Sequence, residues 1–174
     1  MEHATGKWVL ILGADDRLVD SNALCRAHRL VNSQKTTVGL VYSDLFISDI
    51  GGIRLKKYPS ISEFNTQYSG GPFIHHQSAF VARESILHFG GFSNVYRIHA
   101  DYDLLLKVIK LNGAVKVNDS FVVYSAYGFS SKLSRLWCSF CEIYTIRKAH
   151  GYQPVVFRIL LTYIKLLVLR ICFK

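Results

Sequence analysis

The chain is short of charge. Asp, Glu, Lys and Arg make up 19 % of its 174 residues, against 50 % hydrophobic. That balance excludes an intrinsically disordered chain, which needs the reverse. Proline is scarce, at three residues, and there is neither an internal repeat nor a low-complexity tract, so a solenoid or a polyproline linker is excluded. The cysteines are few: Cys25, Cys138, Cys141 and Cys172. Cys138-Ser-Phe-Cys141 has CxxC spacing but lies in a helical pattern without a second pair, which argues against a zinc or redox site. Reduced, mostly buried thiols in a cytosolic protein are expected instead. No signal peptide is visible, because the first apolar run is short, lacks a basic lead-in and ends in two aspartates.

Acid is almost missing from residues 132–174, where Glu142 stands against eight Lys and Arg, a net charge of +7. Residues 1–131 hold 13 basic and 11 acidic side chains, a net of +2. Long apolar runs free of charge are missing too. Val155–Lys174 reads VVFRILLTYIKLLVLRICFK, and Arg158, Lys165 and Arg170 keep it below the ~18 apolar residues of a membrane span. An apolar helix carrying only cations suits an anionic leaflet surface; the alternative is a packed helix with its cations snorkelling outward. Nucleic acid is not an expected partner, since these cations lack interleaved polar and stacking residues. Two segments follow: a near-neutral globular part, 1–131, and a basic apolar helical tail, 132–174.

What is present is an acidic pair at the end of an apolar run. Residues 8–16 read Trp-Val-Leu-Ile-Leu-Gly-Ala-Asp-Asp. Adjacent carboxylates repel each other unless solvent, a metal or a basic partner balances them. The carboxyl edge of an open α/β sheet is where ligands usually bind. Asp15 and Asp16 therefore suggest a divalent cation whose shell a phosphorylated ligand completes; a solvated turn or a helix cap is the other reading.

The rest reads as alternating strands and helices. Residues 7–13 read as a strand and 19–32 as a helix. Val38–Leu45 and Ile53–Lys56 flank Asp49-Ile50-Gly51-Gly52, a hairpin signal. Residues 58–75 read mostly as loop, Gln77–Ala82 as a buried strand, and Gly90-Gly91-Phe92 as a sharp turn. Leu104, Leu105, Val108 and Leu111 fall at helical spacing with Lys107 and Lys110 outside. That helix starts near Asp101 and stops at Asn112-Gly113. Val115–Val117 and Phe121–Tyr124 read as short strands, and 131–149 and 154–173 as helices. Asp101 and Asp103 lie where a helix N-terminus stabilises carboxylates. Asp101 is either a general base, an effect of about 10²–10⁴ in rate, or an ordinary cap.

The segments ATGKWVLILGADD (4–16), GPFIHHQSAFVARESILHFGGFSNVYRIHADYDLLLKVIKLNG (71–113) and YGFSS (127–131) occur in an order that resembles the family 2 glycosyltransferases, in particular the bacterial enzymes that build lipopolysaccharide, colanic acid and similar surface polysaccharides. The resemblance implies a GT-A fold: an α/β sandwich around a mostly parallel sheet with flanking helices. It implies that Asp15 and Asp16 bind a nucleotide-sugar and its Mg²⁺ or Mn²⁺, Asp16 as the metal ligand and Asp15 toward ribose or metal-bound water. It makes Asp101 the base, although Ala100 stands where the family has a glutamate. Gly90-Gly91-Phe92 matches the family's turn before this site. His76 and Gln77 fall near the acceptor pocket or the diphosphate, the alternative being a hydrogen-bonded structural histidine, with His75 and His99 as weaker candidates; Gly128-Phe129-Ser130-Ser131 matches either a loop that closes over the donor or an ordinary strand-to-helix connection. The implied reaction is inverting transfer of one sugar to a saccharide or lipid-linked acceptor; the motif of processive synthases is missing. The implied location is cytoplasmic, peripheral on the inner face of the membrane.

The family's first strands, which contact the nucleobase and ribose, lie upstream of the segment matched by Ala4. Residues 1–131 therefore correspond to the C-terminal portion of such a domain, and poor nucleotide-sugar binding by residues 1–174 alone is expected. The alternative is a non-catalytic truncated remnant or interaction module of this fold. A metal-dependent phosphohydrolase would need a third ligand site beside Asp15 and Asp16, and none is convincing.

Overall fold

The computed structural model describes residues 3–34, 38–67, 74–126 and 135–152. The elements run β1 (Trp8–Leu10), β2 (Arg17–Leu18), α1 (Ala23–Asn32), β3 (Leu40–Asp49), β4 (Gly52–Lys56), α2 (Ile61–Gln67), a 3₁₀ turn (His76–Ser78), β5 (Ala79–Ala82), α3 (Arg83–His88), α4 (Ala100–Asn112), β6 (Ala114–Ser125) and α5 (Leu136–Ala149).

The six strands form one mixed sheet in the order β1-β5-β3-β6-β2, with β4 paired to β3. This corrects the expectation of a mostly parallel sheet: β3–β6 is the one parallel pairing, and the other four are antiparallel. One of these four pairings is set locally. The Ile50-Gly51 turn between β3 and β4 is too short for the crossover that parallel strands need. β6 runs along nearly the whole of β3, so β5 (at Leu40–Tyr42) and β4 (at Leu45–Asp49) share the other edge. By these pairings β1, β3 and β6 point the same way, and their carboxyl ends lie on one side of the sheet.

Alternation along β3 divides the core. Val41 faces one side, with Ala23, Ala27 and Val31 of α1, Phe80 and Phe121. Leu40 and Tyr42 face the other, with Ile86 of α3 and Leu104, Leu105 and Val108 of α4. The period of two in the strand and the three-to-four spacing in α1 and α4 build this sandwich. Helix α4 is itself covered on its far side, where Tyr102 and Leu106 meet Ile146 of α5. Coverage on both sides changes the expected stripe: Leu106 is fully buried, while Leu111 is exposed. Val115–Val117 and Phe121–Tyr124 belong to one strand, β6, whose pairing with β3 shifts register near Ser43/Asp44.

Two helices went unread in the sequence. Helix α2 stands in the stretch read as loop, opened by a capping box in which the Glu63 carboxylate accepts the Ser60 N–H (2.6 Å) and hydroxyl (2.8 Å). Helix α3 follows β5 directly. A further correction concerns the thiols: Cys25 and Cys141 are exposed rather than buried, and both they and Cys138 are free. Cys172, the 154–173 helix, the membrane-surface reading built on it and Gly128–Ser131 lie outside the described residues. No described helix is long and apolar enough to cross a membrane.

Candidate functional site

The carboxyl ends of β1 and β6, the 3₁₀ turn before β5 and the start of α4 enclose a cleft of about 630 Å³. Its walls carry Asp15, Asp16, His76, Gln77 and Asp101. These five candidate residues, with His75 and His99, therefore meet at one place, on the sheet edge where α/β folds place their ligands.

Asp16 is fixed by the backbone. Its Oδ2 accepts the Gly13 N–H (2.8 Å) and its Oδ1 accepts the Ser125 N–H at the end of β6 (3.0 Å). A Cβ on Gly13 would come within 2.9 Å of that Oδ2, so glycine is what allows the close approach. Asp15 is exposed and has no such anchor among the described residues. The pair thus offers one oriented carboxylate and one free one. Both are hard oxygen donors, a set that fits a Mg²⁺-type ion completed by phosphate oxygens and water. Among the described residues no group of three His, Cys, Asp or Glu could by itself hold a metal.

Across the cleft, His76 Nδ1 and Asp101 Oδ2 are 2.6 Å apart. The 3₁₀ turn supplies the histidine and the first turn of α4 the aspartate. Burial works to raise the Asp101 pKa, but the hydrogen bond and charge of His76, the charge of His99 and the Tyr102 N–H together hold it below the ordinary carboxylate range. Beside it, His75 Nδ1 is hydrogen-bonded to the Tyr58 hydroxyl, and burial above all pushes His75 down to about 4. Tyr124 is pushed up by burial and then by the charges of Asp16, Asp15 and Asp101. Arg97 is the cleft's one Lys or Arg among the described residues. Gln77 is only 6 % exposed, and its Oε1 has no hydrogen-bond partner among the described residues.

The sequence reading missed the role of α5. The Glu142 carboxylate accepts three consecutive backbone N–H groups, from Arg97 (2.8 Å), Ile98 (2.9 Å) and His99 (2.9 Å). One turn earlier, Ser139 Oγ lies 2.6 Å from His99 Nε2. Burial disfavours the Glu142 charge, but the three N–H donors and Cys138 outweigh it and hold the carboxyl below its ordinary range. All three anchored residues line the cleft. The available signal was that Glu142 is the single acid among 43 C-terminal residues.

No protein-family model matches the chain, and no curated protein matches it significantly. The glycosyltransferase resemblance therefore rests on the motifs themselves.

Proposed function

We propose that this cleft is part of a glycosyltransferase site of GT-A type, moving a sugar from a nucleotide-sugar to a saccharide or lipid-linked acceptor. The observation that carries the reading is the convergence of Asp15-Asp16 with the His76–Asp101 pair in one cleft. An acidic pair that binds a cation and a separate basic pair are the two parts that inverting transfer needs.

In this reading Asp16 and Asp15 hold Mg²⁺ or Mn²⁺, which when bound neutralises charge on the departing nucleoside diphosphate. Asp101 and its partner His76 remove the acceptor hydroxyl's proton as its oxygen attacks the anomeric carbon. Arg97 lies in reach of anionic groups in the same cleft. The open Oε1 of Gln77 takes a hydrogen bond from a sugar hydroxyl, since a buried acceptor left unpaired is costly. The basic tail would bring a lipid-linked acceptor to the membrane surface.

The test is a panel of UDP-, GDP- and dTDP-sugars with Mg²⁺ or Mn²⁺ and saccharide or polyprenyl-phosphate acceptors, read by product mass. Sugar transfer that disappears in Asp101→Asn and Asp16→Ala supports the reading. Free sugar phosphate without transfer would point to a phosphohydrolase, and no turnover of a donor that titration shows to be bound would point to a non-catalytic module of this fold.

A further inference from the structure

Three histidines line the cleft, and they are not equivalent. His75 is engaged through Nδ1 with the Tyr58 hydroxyl and is pushed down to about 4, chiefly by burial. His99 is engaged through Nε2 with Ser139, and burial lowers it as well. His76 alone is paired with a carboxylate, and both partners keep about a quarter of their side-chain surface open.

We infer that His76 is the proton acceptor of this cleft, receiving the proton at Nε2, and that Asp101 is the residue that orients it. This rests on the glycosyl-transfer reading for its substrate, but not for its geometry.

An ionised carboxylate only accepts hydrogen bonds, so the Asp101 contact at 2.6 Å requires a proton on His76 Nδ1. In a neutral ring the other nitrogen is then bare and basic. Nε2 of His76 has no hydrogen-bond partner among the described residues, so nothing there competes for its lone pair. Asp101 taken alone is the poorer base, because the same hydrogen bond and the neighbouring charges depress it. An imidazole is far better matched to proton transfer near neutral pH. When the ring takes the proton, the Asp101 carboxylate stabilises the imidazolium, as in other oriented His–Asp pairs.

The step balances. The acceptor's O–H bond breaks and its proton moves to Nε2, while the oxygen's electron pair forms the bond to the anomeric carbon. The bond from that carbon to the diphosphate oxygen breaks, and its electrons leave with the nucleoside diphosphate. Other ionisable groups surround the pair. Asp15 and Asp16 face it from the turn after β1, Arg97 and His99 from the loop before α4, and Tyr124 from β6.

Two measurements on the full chain decide the matter. In ¹⁵N-resolved NMR, with His76 assigned from the His76→Gln variant, the neutral ring carries its proton on Nδ1 and shows a bare Nε2. Asp101→Asn weakens that preference. In the transfer assay, His76→Gln lowers kcat/KM by about 10²–10⁴, with donor KM changed only a few-fold. Activity of His76→Gln within tenfold of the wild type would return the role to Asp101. A protonated Nε2 overturns the proposal whatever the activity. A bare Nε2 in a chain that binds a nucleotide-sugar but transfers no sugar supports the assigned atom and rejects only the substrate class.

Discussion

The Asp16 carboxylate and the Ser125 backbone N–H are hydrogen-bonded at 3.0 Å across 109 residues of chain, tying the turn after β1 to the last residue of β6. Asp16 is thus both a candidate ligand and a structural tie, whereas its neighbour Asp15 is exposed and has no hydrogen-bond anchor among the described residues.

That difference gives the first prediction. Asp16→Ala removes two acceptors of backbone N–H groups and lowers stability by about 1–3 kcal/mol, while Asp15→Ala stays within about 0.5 kcal/mol of the wild type. Urea unfolding of the two variants measures both. Equal stabilities would mean that the Gly13 and Ser125 N–H groups find water at no cost.

Glu142 gives a pH dependence. Its carboxyl lies below the ordinary range in the folded chain, so the charged form stabilises the fold. The contribution is complete above the unfolded-state value of about 4.3 and is lost as pH falls through the lower folded-state value. Glu142→Ala therefore costs about 2–4 kcal/mol at pH 7, and the gap to the wild type narrows below about pH 4. Hydrogen exchange localises the effect: the amides of Arg97, Ile98 and His99 should lose protection first.

Asp103 is buried, at 3 % exposed, between Lys107 Nζ (2.7 Å) and His150 Nε2 (2.9 Å). Asp103→Ala leaves the partner groups without their acceptor and is expected to lower stability by about 3–5 kcal/mol. Lys107→Met removes one partner at the surface side and costs less, about 1 kcal/mol. Thermal melts of the two variants should rank in that order.

Gly39 sits where β3 begins, against the last turns of α4. A Cβ there would lie 2.6 Å from the Asn112 Cβ and 2.8 Å from a Val108 methyl. Gly39→Ala should destabilise by about 1–3 kcal/mol through overpacking, even though its backbone is acceptable for alanine. Gly91→Ala, by contrast, meets no atom within 4 Å and is strained only through its φ of 84°. A smaller loss at Gly39 than at Gly91 would contradict this ordering.

Much of this arrangement could be read from the chain because it depends on local pattern. The run from Trp8 to Asp16, the turn at Asp49–Gly52 and the Asn112-Gly113 stop each set their own element. The meeting of Asp16, His76, Gln77 and Asp101 was expected from motif order, and the cleft brings them together. What escaped was long-range. Strand direction depends on which edge of β3 each strand takes, and no residue in β5 encodes that locally. Helix α5 read as tail because a single glutamate says nothing of the three N–H groups it reaches some 45 residues back. Helix α2 escaped for the opposite reason: its Ser60–Glu63 box was visible, but glycine and serine around it read as loop.

The Glu142 clamp has a consequence for how the protein is made. At about 5–20 residues per second, Ser125 is synthesised some 5–20 s after Asp16, and Glu142 follows later still. Each of three parts of the cleft therefore waits on a residue not yet translated: Asp16 on Ser125, His76 on Asp101, and the 97–99 loop on Glu142. The ribosome delivers a sheet before it delivers a site, and the last piece to arrive is the one that sets the wall.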